Sequence, residues 1–290
     1  MISIAQLRSS AELASASLPP LLAQAEHLAG TVLLGEHGRR RSGLGDDFWQ
    51  YRPMQEGDAP RMIDWRRSAK TDAQFVRQRE WQIAQSVMLW VDQAPSMTFA
   101  SDNNLATKGD RARLLTLAIA ILLIRSGERV GLTGTLLPPR RGEAQILRLT
   151  EMLLQKELGD YGMPEARAML PHARALFVSD FMGEFENFEA ALTKAADRGV
   201  RGVCLQILDP AEEAFPFKGR AIFESMGQTV RYETKKADDL RDRYLDRLAE
   251  RKERLRSLCS LTDWHYGQHH TNDTAQSALL WLHRALESRT

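Results

Sequence analysis

From Ser86 onward the chain alternates short apolar runs with helical stretches, and the apolar runs end in an acid. Val87-Met88-Leu89-Trp90-Val91 closes on Asp92. Ala175-Leu176-Phe177-Val178 closes on Ser179-Asp180, and the run from Val200 to Leu208 closes on Asp209-Pro210. A short, continuous apolar run bounded by polar turns fits a strand covered on both faces. Such strands alternating with helices predict an α/β fold: a mainly parallel sheet with helices on both faces.

The connecting segments carry helical spacing. Asp110 to Arg125 is apolar on nearly every side, which predicts a buried helix. Glu143 to Leu154 and Phe185 to Ala196 read as amphipathic helices, and Arg129 to Thr135 as a further strand. After the strand ending at Leu208 the alternation breaks. Arg220 to Glu224 and Gln228 to Glu233 read as a β-hairpin inserted near residues 212–233. A long charged helix over Ala237 to Leu261, a last strand within Asp263 to Thr271 and a closing helix over Thr274 to Glu287 complete the domain at 85–290. Ahead of it, 1–34 reads as an N-terminal helical segment, with a helix from Leu21 after Pro19-Pro20.

Lys plus Arg is 39 against 38 for Asp plus Glu, and the net charge of +1 argues against a nucleic-acid binder, which usually shows a basic excess. Cys204 and Cys259 form no CxxC pair, which suits a reducing compartment and excludes a zinc ribbon. The most apolar stretch, Leu114 to Ile124, is shorter than the roughly 20 residues that a membrane span needs. No secretory signal pattern opens the chain, so a cytoplasmic location is expected. Phosphate-loop, nucleophile-elbow, HExxH and GxGxxG strings are absent.

Residues 35–84 have a different texture, dense in Gly, Arg, Asp and aromatic residues. They carry Arg39-Arg40-Arg41-Ser42-Gly43-Leu44-Gly45, Phe48, Tyr51-Arg52-Pro53, Glu56-Gly57-Asp58 and Ile63-Asp64-Trp65-Arg66, with Ser68-Ala69 after them. This block, followed by a strand ending in Asp92-Gln93-Ala94-Pro95-Ser96-Met97, resembles the bacterial family called domain of unknown function 58. In that family an arginine- and aromatic-rich signature module precedes a von Willebrand factor A-like domain. Lys70 departs from the family pattern, which usually has Arg after the alanine. The resemblance implies a module at 35–84 packed on the core. It also implies a protein partner, a MoxR-type AAA+ ATPase.

The same resemblance implies a Mg²⁺ site at the carboxyl ends of the strands, where open parallel sheets bind ligands. Asp92 matches the first acid, Ser96 the second hydroxyl and Asp180 the third-loop acid. Ala94 replaces the first hydroxyl, and the second-loop threonine has no counterpart, since Thr133 and Thr135 fall within the expected strand. The site therefore reads as degenerate, with weak Mg²⁺ binding or none. The competing reading is a vestige, with both acids hydrogen-bonded to backbone amides.

Arg39, Arg40 and Arg41 could grip an acidic partner, because guanidinium forks pair with carboxylates and phosphates. Asp64, Trp65 and Arg66 could form a partner hot spot, or be structural, with Trp65 packed on the sheet and Asp64 ion-paired. His265, His269 and His270 have no further ligands beside them to complete a metal site. The expected function is a non-catalytic adaptor. The alternatives are a metal-assisted enzyme using Asp92 and Asp180, and a nucleic-acid binder through Arg39–Arg41.

Overall fold

A computed structural model describes residues 20–36, 48–55, 63–69, 73–79, 85–135, 137–155, 160–165, 169–224 and 231–287. These divide into two compact units, one within Met1–Gly35 and Gln85–Thr290, the other within Glu36–Ala84.

The larger unit is built on five parallel strands: β3 (Ser86–Val91), β4 (Arg129–Leu132), β5 (Arg174–Ser179), β6 (Arg201–Leu208) and β9 (His265–His270), in the order β4-β3-β5-β6-β9. Alternation along each strand divides its side chains between two cores, because successive residues point to opposite faces. Val87, Leu89 and Val91 of β3 join Leu176 and Val178 of β5 and Val203, Leu205 and Ile207 of β6 in one cluster. Met88, Trp90, Ala175, Phe177 and Cys204 join the other. Strands buried on both faces are the reason that these segments read as unbroken apolar runs.

The first core is covered by α1 (Pro20–Glu36), α3 (Lys108–Arg125), α4 (Glu143–Leu153) and α8 (Ala275–Glu287). The second is covered by α5 (Phe185–Asp197) and α7 (Asp238–Leu261). The segment 1–34, set apart in the sequence, thus contributes a helix to the main core, where Leu22, Ala25, Ala29 and Val32 are buried with α3. Its apolar spacing shows that one face is covered, but carries no information about what covers it.

The expected parallel sheet with helices on both faces is present, and two boundaries differ. Strand β4 stops at Leu132, so Thr133 and Thr135 lie beyond it and not inside it; Gly134, with φ of 72°, turns the chain there. The hairpin consists of β7 (Ala221–Glu224) and β8 (Arg231–Thr234), preceded by the short helix α6 (Pro210–Ala214). In β6, Gly202 is required by close approach. A Cβ there would stand 2.1 Å from the Ala175 carbonyl oxygen on β5.

Strand β9 is pinned to α3 by Arg111, which donates to the carbonyl oxygens of Thr271 (2.9 Å) and Asp273 (2.7 Å). Its Nη1 also lies 3.0 Å from Nε2 of the buried His269, so the neutral imidazole serves as acceptor. Burial and the Arg111 charge hold this imidazole down to about 4, with His270 acting in the same direction and Asp273 against it. The folded state therefore refuses a proton that the unfolded chain takes up near 6.5. Stability is full above that pH and falls between it and about 4, by roughly 3 kcal/mol at most. His269→Gln keeps an acceptor without the titration. Denaturant unfolding across this window is expected to show a shallower acid loss for the variant than for the native chain.

The smaller unit contains the antiparallel pair β1 (Phe48–Pro53) and β2 (Phe75–Arg79) and the short helix α2 (Trp65–Ser68).

Candidate functional site

Helix α3 starts on a conventional cap. The Thr107 side chain accepts from the Asp110 backbone N–H (3.0 Å), and its hydroxyl donates to the Asp110 carboxylate (2.8 Å). The first helical residue is Lys108, whose side chain is only 2% exposed. A helix N-terminus is an unfavourable place for a cation, so the ammonium must be held by something stronger. Its Nζ donates to Asp180 Oδ2 at 2.8 Å and to Glu212 Oε1 at 2.6 Å, and it lies 5.9 Å from the centre of the Phe99 ring. Burial opposes the charge, but Asp180 and Glu212 outweigh it and hold the ammonium protonated well above the usual lysine range.

Each acid is positioned by its own turn. Asp180 follows β5, and its Oδ1 accepts from the Met182 N–H at 3.0 Å. Glu212 belongs to the capping box of α6. Its Oε2 accepts from the Asp209 N–H (2.8 Å), while Asp209 accepts from Ala211 (2.8 Å) and from Ser101 (2.9 Å). Burial pushes the Glu212 carboxyl up, and the Lys108 charge draws it back.

Asp92 lies beside this triad at the end of β3. Its Oδ1 accepts from the N–H groups of Ala94 (3.0 Å) and Gly162 (3.2 Å), and its Oδ2 from the Ser179 hydroxyl (2.7 Å). Ser179 in turn accepts from the Phe181 N–H at 2.9 Å. Burial, then the Asp180 charge, pushes the Asp92 carboxyl up, against the pull of these hydrogen bonds. Ser96, in the turn after β3, is buried, and its hydroxyl has no hydrogen-bond partner among the described residues.

The sequence reads Asp92, Ser96 and Asp180 as a degenerate Mg²⁺ site or the vestige of one, and the fold places all three at the carboxyl edge of the sheet. The residues do not fit the ion. Mg²⁺ needs uncommitted oxygen atoms in an octahedron. Both Asp92 oxygens are taken by amides and a hydroxyl, both Asp180 oxygens have donors, and an ammonium already stands against Asp180. Lys108 and Glu212 were not singled out in the sequence. The signal present was the Asp209-Pro210-Ala211-Glu212 capping-box pattern, which places Glu212 in the first turn of a helix.

Above the triad opens a cleft of about 560 Å³. Its floor includes Ser96, Lys108 and Asp180, and its walls are aromatic. Phe215 packs against Phe217 (5.2 Å between centroids), Phe223 (5.8 Å) and Tyr244 (5.1 Å), tying α6, the hairpin and α7 into one wall. Burial, then the Glu212 charge, pushes the Tyr244 phenol up to about 12, so it stays a neutral hydroxyl. Arg243 and Arg247, one helical turn apart on α7, are exposed at the cleft and form no ion pair among the described residues.

The other predicted contacts fall in the smaller unit. Arg39, Arg40 and Arg41 lie outside the described residues. Asp64 caps α2, accepting from the Arg67 N–H at 3.0 Å. Trp65 is 61% exposed, and Arg66 is exposed beside it.

These features define an open, parallel α/β protein with a closed ion triad beneath an aromatic cleft at the carboxyl ends of its strands. The family described as protein of unknown function DUF58 matches residues 50–254, and the chain belongs to it. Uncharacterized protein Rv1480 of Mycobacterium tuberculosis (strain ATCC 25618 / H37Rv) is 27% identical over 212 residues, 67% of this chain and 64% of that protein. Uncharacterized protein Mb1516 of Mycobacterium bovis gives the same values. The chain thus spans 64% of the length of these curated relatives. Among solved structures, BatB from Bacteroides thetaiotaomicron matches with a TM-score of 0.40 and 14% identity, over 70% of this chain and 98% of that one. An aerotolerance-related membrane protein from Bacteroides fragilis NCTC 9343 matches over the same shares with a TM-score of 0.43 and 14% identity. No helix among the described residues is long and apolar enough to cross a membrane.

Proposed function

We propose that this chain is a non-catalytic protein-interaction module with a von Willebrand factor A-like domain, acting as a cytoplasmic adaptor for a MoxR-type AAA+ ATPase. The observation that carries this reading is the open aromatic cleft with fixed charges at its floor and two exposed arginines, Arg243 and Arg247, at its rim. The acids that an enzyme of the metal-assisted class would use are engaged by Lys108, by backbone amides and by Ser179, which favours a binding surface over a reactive centre.

The charge distribution supports one kind of occupant. One ammonium faces two carboxylates at the floor, so a further acid is unwelcome there, while the aromatic walls favour an apolar or aromatic side chain. Arg243 and Arg247 favour acidic residues flanking it. The complementary segment of the ATPase is therefore an apolar anchor next to Asp or Glu. Trp65 and Arg66 offer a second contact of a type common in hot spots.

Tyr232 lines the cleft and is 53% exposed, so Tyr232→Ala and Arg247→Glu leave the core untouched. Biolayer interferometry against the purified ATPase encoded in the same genome should show each variant binding roughly 30-fold more weakly, the effect of a hot-spot loss of about 2 kcal/mol. Thermal stability should be unchanged. No binding by the native chain, or native affinity in both folded variants, would refute the proposal.

A further inference from the structure

We infer that the Lys108 ammonium is the resident cation of this site, and that Asp180 and Glu212 form a latent divalent-metal site that opens when it is removed. The two carboxylate oxygens converge on one point, Nζ, at 2.8 and 2.6 Å. These are charge-assisted hydrogen-bond lengths. A cation placed at that point would meet the ligand types that Mg²⁺ and Mn²⁺ take, which are hard oxygens from one or two carboxylates completed by water. A further oxygen lines the same cleft. Ser96 is buried, lines the cleft, and its hydroxyl has no hydrogen-bond partner among the described residues.

The tether changes what the site can do. A bound metal exchanges with solution and carries two charges. An ammonium on α3 is permanent, carries one, and makes directional bonds to Asp180 after β5 and Glu212 of α6. It joins three chain segments that are 72 and 104 residues apart, as a metal would, but independently of metal supply. Asp92 is not a ligand in this arrangement. Its oxygens hold the Ala94 and Gly162 loops and Ser179, so it supports the floor from one side. The cleft is therefore constitutive, with an affinity for its occupant that does not rise and fall with divalent cation concentration.

The test is Mn²⁺ binding by the full chain, followed by electron paramagnetic resonance and by thermal melting in Mn²⁺ and in EDTA. The native chain should bind Mn²⁺ no tighter than millimolar and melt at the same temperature in both. Lys108→Ala should bind Mn²⁺ at least tenfold more tightly. At a hundredfold excess over its dissociation constant, Mn²⁺ should raise the variant's melting temperature by about 5 °C or more. Lys108→Ala combined with Asp180→Asn should lose that response. Micromolar Mn²⁺ binding by the native chain, or a melting point that falls in EDTA, overturns the inference even if Lys108→Ala does not fold. A folded Lys108→Ala that ignores Mn²⁺ overturns it equally.

Discussion

Lys108→Met should destabilise the protein by about 3–5 kcal/mol, the usual cost of leaving buried charges uncompensated. The substitution keeps most of the aliphatic stem and removes the ammonium, so Asp180 and Glu212 face each other without a counter-ion. For a chain of this size that corresponds to a melting point lower by roughly 5–10 °C. The deficit should depend on pH with a definite sign. Burial already pushes the Glu212 carboxyl up, and Lys108 is what draws it back. Without the ammonium the folded state binds the Glu212 proton more tightly than the unfolded chain does. The variant should therefore recover stability as the pH falls toward the unfolded glutamate value near 4.3, and lose it as the pH rises. Denaturant unfolding at several pH values measures both effects. Adding Glu212→Gln to Lys108→Met should recover part of the loss at neutral pH.

Phe177→Ala should cost a similar amount, about 3–5 kcal/mol, for a different reason. Phe177 is fully buried on the central strand β5, with its ring 5.7 Å from Trp90, 6.4 Å from Phe188 and 4.9 Å from Trp264. Those rings come from β3, α5 and the turn before β9, so truncation opens a cavity where three elements meet. The loss includes aromatic pair terms of about 0.5–1.5 kcal/mol, which a double-mutant cycle with Trp264→Leu would isolate. Because Phe177 precedes Ser179 and Asp180 by two and three residues, binding in the cleft should weaken along with stability. Equilibrium urea unfolding of the variant checks the magnitude.

The parts of the fold that were legible in the sequence are those set by local pattern. The runs at Val87–Val91 and Ala175–Val178 are apolar on both faces because both faces are covered, and the acids that end them stand at the sheet edge for the same reason. The α5 and α7 helices were visible from spacing and charge. The identity of the cation was not legible. Lys108 carries no local mark of burial, and its partners are 72 and 104 residues away, so only the closed sheet brings the three together. Asp92 and Asp180 were legible as acids at the carboxyl edge of the sheet, but their ties to Ser179 and Lys108 were not. In the smaller unit, Asp64 and Ser68 organise a local turn through the Arg67 N–H and the Phe75 N–H, while the Trp65 indole is exposed.

Anomalous diffraction from crystals of the native chain grown with manganese tests the resident-cation site most directly. Density for the Lys108 ammonium between Asp180 and Glu212, with no anomalous peak at that position, is the expected result. A manganese peak between Asp92 and Asp180, with the Lys108 side chain displaced, would contradict it.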